Sequence, residues 1–270
     1  MAIKDITLGQ YYPGDSKIHR LDARCKIIGT IVYLISLFCV KSFTGFALCA
    51  VFVGVIIAIS GVPLRFIFKG LKPIMFLIIF TMIVNMFATP GVPLVSIGPL
   101  TISREGLYRA VFMAVRLVLL IFGSSLLTLT TKPMQLTDGL ERLLRPFKKI
   151  GLPAHELAMM MSIALRFIPT LLDETDKIMK AQTARGADFE SGNLLERAKS
   201  LIPLLVPLFV SAFRIAADLA MAMEARCYKG GEGRTRMNEA VLKNLDIAAF
   251  VIMGVYLAAT IFIARIPGLF

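Results

Sequence analysis

The chain has 270 residues, of which 57% are hydrophobic and only 18% charged, with a mean hydropathy of +0.75. Soluble domains carry about a quarter charged residues, so a water-soluble globular fold is excluded and an integral membrane protein is expected. The net charge of +12 comes without a basic stripe interleaved with aromatics, which sets aside a nucleic-acid partner.

In chain order, the first feature is a polar leading segment. Tyr11-Tyr12-Pro13-Gly14-Asp15-Ser16 reads as a turn with capping character, and His19-Arg20-Leu21-Asp22-Ala23-Arg24-Cys25-Lys26 follows it. These basic residues would meet lipid headgroups. They run straight into an apolar stretch with no small-residue cleavage site after it, so the first helix is expected to be retained.

A spanning helix needs about 20 apolar residues. Five candidates appear: Ile27–Val40, Phe43–Ile59, Ile74–Ala88, Ala110–Leu129 and Leu245–Ala264. Only Lys41-Ser42 separates the first two, which predicts a tight hairpin. Thr89–Gly106, with Pro90, Gly91, Pro93, Gly98 and Pro99, reads as an irregular external loop. Ile102-Ser103-Arg104-Glu105 is expected to cap the fourth span. Arg116, about two turns into that span, either snorkels to the outer surface, the favoured reading, or pairs inside the bundle.

Between Lys132 and Lys243 lies a stretch richer in charge. Leu140, Leu143, Leu144 and Phe147 fall at helical spacing, predicting a short amphipathic helix over Thr137–Lys149, capped at Thr137 and ended by Gly151. Pro153 suits the first turn of a second helix running to Ala184, bent near Pro169 and closed by Gly186. A third helix is predicted from Leu194 to Tyr228, interrupted near Pro203 and Pro207. Gly230-Gly231-Glu232-Gly233 then returns the chain to the last span.

Two apolar runs here, Leu157–Leu172 and Leu201–Phe213, could cross the membrane by composition alone. Crossing would put Lys177, Lys180, Arg185, Arg197 and Lys199 outside and Arg166, Arg214 and Asp218 at costly depth. The expectation is therefore interfacial or protein-covered helices. With five spans and an inside N-terminus, 25 of the 30 Lys and Arg residues fall inside, the sense required by the positive-inside bias. The expected fold is an all-α polytopic membrane protein. It has about five transmembrane helices and a cytoplasmic coupling domain of about three helices inserted before the last span. The domains are 1–131 (N-terminal membrane region), 132–243 (coupling domain) and 244–270 (C-terminal transmembrane helix). The expected location is a cell membrane, with N-terminus and coupling domain cytoplasmic and the C-terminus outside.

The chemistry-bearing residues exclude more than they assign. Cys25, Cys39, Cys49 and Cys227 show no C-x-x-C pairing. His19 and His155 are far apart, with no carboxylate arrangement that implies a metal or a proton relay. There is no phosphate-binding loop and no nucleophile elbow. No intramembrane set of Asp, Glu, His or Ser supports an enzyme. No catalytic residue, metal site or bound cofactor is expected in this chain.

Two triplets remain, Ala184-Arg185-Gly186 and Ala225-Arg226-Cys227. Each ends a long helix, and the two share Ala181/Ala222, Ala184/Ala225 and Arg185/Arg226 at one offset. An arginine at a helix C-terminus offsets the negative end of the dipole, worth about 0.3–1 kcal/mol. That explains the charge but not the small neighbours, which let a partner's backbone approach while the guanidinium offers a planar fork to a carboxylate. Met159, Met160, Met161, Met179, Met221 and Met223 serve these helices either as core filler or as an adaptable surface.

Taken together, the Pro13-Gly14-Asp15-Ser16…His19-Arg20-Leu21-Asp22…Arg24…Lys26 signature, the flanking spans and the paired triplets resemble a known family. It is the transmembrane T component (EcfT, CbiQ/EcfT family) of energy-coupling factor transporters, importers of vitamins and metals, and the resemblance covers nearly the whole chain. It implies that Arg185, with Ala184 and Gly186, and Arg226, with Ala225 and Cys227, each dock in one of two ABC-type ATPase subunits (EcfA and EcfA'-like). The ATPases bind ATP, and a small substrate-binding membrane S component rides on the coupling helices. Ala23 stands where the family often has proline, and Cys227 where it has glycine. The residues also leave open the permease subunit of a conventional ABC transporter, although no E-A-A…G loop is present, and a membrane anchor that recruits a cytoplasmic complex.

Overall fold

The computed structural model describes residues 11–40, 42–97, 100–150, 153–189, 193, 195, 199–230 and 243–265, without the side chains of 94–101, 148–150, 154, 264 and 265. The chain divides into two compact units, one formed by Gly9–Leu140 with Glu239–Phe270 and the other containing Glu141–Asn238.

The larger unit is a helical bundle. Its elements are α1 (Ala23–Cys39), α2 (Phe43–Ser60), α3 (Leu64–Leu71), a 3-10 turn (Lys72–Ile74), α4 (Met75–Ala88), α5 (Arg104–Thr130), most of α6 (Pro133–Leu144) and a last helix, Asn244–Arg265, labelled α9 below. α5 is the hub, packing on α1, α2, α3 and α4, while α9 packs on α1 and α2. The core between them holds Tyr33, Leu37, Phe46, Cys49, Val53, Leu119, Leu126 and Tyr256. Local chemistry sets the helix starts. Asp22 caps α1 by accepting the Arg24 N–H, Ser42 caps α2 from Gly45, and Ser103 caps α5 from Gly106. α2 stops at Gly61, which adopts φ +68, a conformation costly for residues with a Cβ.

Four expectations need correction. Thr89–Gly106 is not irregular throughout: β1 (Pro93–Ile97) and β2 (Leu100–Ser103) form an antiparallel ribbon, Val95 opposite Ile102 and Ile97 opposite Leu100. The β-branched Val95, Ile97, Thr101 and Ile102 favour that pairing over an open loop. Glu105 locks the ribbon to α5 by accepting the Val92 N–H at 2.8 Å.

Arg116 takes the less favoured of its two readings and pairs inside the bundle rather than snorkelling. Its guanidinium donates to the Val40 carbonyl at 3.0 Å and lies 5.0, 5.7 and 5.8 Å from the ring centroids of Phe112, Phe46 and Phe38. Val40 ends α1, so Arg116 satisfies a helix-terminal carbonyl that lipid could not, and the three rings supply cation–π attraction.

The short amphipathic helix begins a turn earlier than Thr137, at Pro133, and gives way at Arg145 to a 3-10 turn ending at Ile150. Proline's fixed φ and missing N–H fit the first helical position, and Thr137 instead bonds back to the Pro133 carbonyl at 2.7 Å. Its predicted stop, Gly151, lies outside the described residues.

In the second unit, α7 (Ala154–Ala184) packs against α8 (Ile202–Ala225). α8 runs unbroken past Pro207, and Pro203 sits in its first turn rather than interrupting it. Half of the predicted stretch from Leu194 into this helix lies outside the described residues. Ala158 and Leu204 are buried between neighbours, whereas Phe213 of α8 is 74% exposed and Phe209 62%. Among the described residues, six helical segments are long and apolar enough to cross a membrane: Phe43–Ser60, Leu64–Ala88, Arg104–Thr130, His155–Ala184, Ile202–Ala225 and Asn244–Ile263. The protein is a multi-pass membrane protein. α1, with 17 residues, is slightly shorter than these six and lies within the bundle.

Candidate coupling site at two matched helix ends

The backbone at the two triplets is the same. α7 ends at Ala184 and α8 at Ala225, with Arg185 and Arg226 at the caps (φ −88, ψ 6 and φ −91, ψ 12). The next residue is left-handed in both, Gly186 at φ +89 and Cys227 at φ +54. Gly186 N–H donates to Thr183 O and Ala187 N–H to Gln182 O, both at 3.0 Å. Cys227 N–H donates to Glu224 O at 2.8 Å and Tyr228 N–H to Met223 O at 3.0 Å. Both ends are therefore Schellman motifs, in which the last free carbonyls of the helix are taken up by the two residues beyond the cap. Cysteine at 227 does not alter the ending; it adopts glycine's conformation.

All six residues of the two triplets are exposed, and among the described residues neither guanidinium has an ion-pair partner. Each arginine thus stands at the negative pole of a helix with its fork free. Their separation follows from the packing of α8 on α7. Tyr228 OH lies 3.5 Å from His155 Nε2, so the Arg226 end sits beside the start of α7. Arg185 ends α7 after 31 residues, roughly 45 Å away at 1.5 Å per residue. Two arginines that far apart cannot enter one small pocket together.

His155 is also bonded through Nδ1 to Glu141 Oε1 at 3.2 Å. The carboxylate bonded to this histidine is not that of its sequence neighbour Glu156 but that of Glu141, 14 residues upstream. This Glu141–His155–Tyr228 series ties the Arg226 end to the residues that precede α7.

Comparison with known proteins places nearly the whole chain in one family. The profile CbiQ, described as "Cobalt transport protein", matches residues 14–237. "Energy-coupling factor transporter transmembrane protein EcfT" of Clostridium kluyveri is 61% identical over 249 residues, covering 92% of each chain. Proteins of the same name from Thermosediminibacter oceani (56% over 259 residues, 96% of this chain and 98% of the relative) and Bacillus subtilis (48% over 259 residues, 96% and 97%) also align. The chain belongs to the CbiQ/EcfT family.

The leading segment that carries part of the likeness to CbiQ/EcfT proteins folds into a polar knot in the larger unit. His19 is 9% exposed; its Nε2 lies 3.1 Å from the Tyr12 carbonyl and its Nδ1 2.7 Å from Ser16 Oγ. A carbonyl can only accept, so Nε2 carries the proton and Nδ1 accepts from the serine hydroxyl. Burial, aided by the charge of Lys26, lowers the His19 pKa below 6.5 and keeps this neutral tautomer at pH 7. The Lys26 ammonium donates to the carbonyls of His19 at 3.1 Å and Thr130 at 2.9 Å, closing the end of α5. Asp22 caps α1 and pairs with Arg24 at 3.0 Å.

At the centre of this knot in the CbiQ/EcfT chain is a residue that sequence reasoning missed. Asp246, 2% exposed, accepts the Asp22 N–H through Oδ1 and the Lys243 N–H through Oδ2, both at 2.8 Å. The second bond is half of a capping box at the third position of α9. The first reaches 224 residues back along the chain. An aspartate three residues into an apolar helix signals the cap; nothing in the sequence signals the distant partner.

Cys227 is the only non-glycine at positive φ among the described residues. A side chain there costs about 1–2 kcal/mol, partly offset by glycine's greater freedom when unfolded. Cys227→Gly is expected to stabilise the protein by about 0.5–1 kcal/mol, and Gly186→Ala to destabilise it by about 1 kcal/mol. Thermal unfolding in detergent measures both; a higher midpoint for Gly186→Ala would contradict the matched geometry.

Proposed function

We propose that this chain is the transmembrane coupling subunit of an energy-coupling factor importer, a non-catalytic part of an ATP-driven transporter. Arg185 and Arg226 each dock, with Ala184 and Gly186 or Ala225 and Cys227, into a groove of one of two ABC-type ATPases. The observation that carries this reading is the pair of matched, exposed arginine ends held a helix length apart. ATP binds to the ATPases, which close and draw their grooves together. α7 and α8 are stiff along their axes and move with them. A small substrate-binding S component lies on the bare apolar surface that includes Val206, Phe209 and Phe213 (57%, 62% and 74% exposed), and the shift of the helices tilts it in the bilayer. Substrates of the vitamin or metal class would be bound by the S component rather than by this chain.

Purification from native membranes in a mild detergent tests the assembly. Two ATPase subunits and a small, very hydrophobic membrane protein are expected to accompany the chain. Attachment of the ATPases should also shield Cys227, exposed beside Arg226, from a bulky maleimide. Recovery of the chain alone, under conditions that keep other membrane complexes intact, would refute the proposal.

In this reading α1, α2, α3–α4, α5 and α9 cross the membrane, while α7 and α8 are cytoplasmic or interfacial, with the N-terminus inside. Charge placement supports that arrangement: exporting the α7–α8 connection would carry Lys177, Lys180, Arg185 and Lys199 across and leave Arg214 and Asp218 within a span. A reporter fused after Asn193 is expected to fluoresce as green fluorescent protein and to be inactive as alkaline phosphatase. The opposite pair of results would place α7 and α8 across the bilayer.

A further inference from the structure

Within the larger unit, α1, α2, α5 and α9 enclose an open-sided cavity of about 530 Å³. Gly29, Tyr33, Gly123 and Leu126 are among its lining residues, as are Val51 of α2 and Val255 of α9, 64% and 65% exposed. The polar groups that reach it are already bonded. Thr30 Oγ1 donates to the Lys26 carbonyl at 2.9 Å, and the Lys26 ammonium holds two other carbonyls. Tyr33 OH donates to Leu119 O at 3.2 Å, and Tyr256 OH lies 2.6 Å from Ser36 Oγ. Beyond the third N–H of Lys26, at the end nearest the leading segment, a polar ligand would find little to exchange for water, so the body of the cavity suits hydrocarbon.

Size separates the two apolar occupants available in a bilayer. A transmembrane helix about 10 Å across and 30 Å long fills on the order of 2,000 Å³, several times this space. A methylene takes up about as much room as a water, roughly 30 Å³, so one lipid chain of about 17 carbons requires roughly 500 Å³ and fits. Charge at one end selects among lipids. The cavity reaches Ile18 and Leu21 of the leading segment, and the residues next to them, Lys17 and Arg20, are both exposed. Of the neighbouring charges, Arg24 is paired with Asp22, and Asp15 is the one exposed carboxylate between residues 11 and 26.

We propose that this cavity holds one acyl chain of an anionic phospholipid, whose phosphate is bound by Lys17 and Arg20. Bound there, the lipid would fill the cavity and link its apolar lining to the polar knot around His19 and Asp246.

The chain contains no tryptophan, so a single introduced indole reports locally. Val255→Trp places it at the cavity, and Phe76→Trp places it on α4 at a site 78% exposed and outside the cavity lining. Each variant is reconstituted into phosphatidylcholine vesicles containing the same small fraction of either brominated phosphatidylglycerol or brominated phosphatidylcholine. The expected result is quenching several-fold stronger by the anionic lipid at Val255→Trp, equal quenching by both lipids at Phe76→Trp, and loss of the preference in Lys17→Gln/Arg20→Gln. Equal quenching at both sites would make the cavity ordinary lipid-facing surface and overturn the proposal. Weak quenching by both lipids at Val255→Trp would mean that protein covers the cavity, and would overturn it too. A preference that survives loss of Lys17 and Arg20 would remove the phosphate site from it. Val51→Trp, on α2, provides the same reading where Val255→Trp does not fold.

Discussion

Replacing both Arg185 and Arg226 with alanine is expected to reduce ATP-driven uptake to background while the chain still inserts and folds. The two consequences separate because the arginines do different amounts of work in the two states. In the free chain each is exposed, has no ion-pair partner among the described residues, and offsets a helix dipole for about 0.3–1 kcal/mol. Within the proposed joint, each is a buried arginine at the centre of a small interface, where truncation commonly costs 2 kcal/mol or more, about thirtyfold in affinity. A single Arg185→Ala or Arg226→Ala should therefore lower uptake at least about tenfold, and the double variant should lower it further. Lysine should restore charge but not the planar fork, giving an intermediate rate. Substrate uptake into cells or vesicles measures the function, and detergent-extracted yield together with the unfolding midpoint measures the fold. Near-normal uptake by the double variant would remove both residues from coupling. Loss of uptake together with loss of folded protein would assign them to stability.

The parts legible in sequence were those set by local periodicity and capping. Apolar run length located α2, α5 and α9, because each of these helices is defined by its own stretch of residues in contact with lipid or core. Gly186 and the position of Arg185 were legible because a left-handed cap is decided within five residues. The equivalence of Cys227 was less so: cysteine carries no signal for positive φ, and only the hydrogen bonds of Cys227 and Tyr228 establish the match. Long-range pairing was not legible. The series Glu141–His155–Tyr228 joins three segments, and Arg116 reaches Val40 across 76 residues. In each case the sequence offers a polar residue whose cost of burial is evident, while its partner depends on which helices the bundle brings together. The ribbon at 93–103 failed for a different reason. Its Pro and Gly content reads as loop, yet backbone groups beside a membrane find partners most readily in each other.

Asp246 offers the sharpest test of that long-range order. Asp246→Ala removes the acceptor of two backbone N–H groups, those of Asp22 and Lys243, at a position 2% exposed. Leaving a buried donor unpaired costs about 1–3 kcal/mol, more where the lost acceptor was charged, so the expected loss is about 3–5 kcal/mol. Asp246→Asn separates charge from shape. Its amide oxygen can still accept from one of the two donors, but its NH₂ group then faces the other N–H and cannot accept it. About 2 kcal/mol should be lost, with protection from hydrogen exchange failing at either Asp22 or Lys243 rather than at both. Asp246→Glu keeps the charge but pushes a further methylene into a filled site, and overpacking of this kind costs about 1–3 kcal/mol. The order expected in thermal unfolding is therefore wild type, then Asn and Glu, then Ala. Were alanine to match the wild type, the bonds to Asp22 and Lys243 would contribute nothing to the fold. A loss of uptake in Asp246→Asn larger than its loss of stability would go further. It would show that fixing Lys243, where the chain re-enters the bundle, matters to transmission as well as to folding.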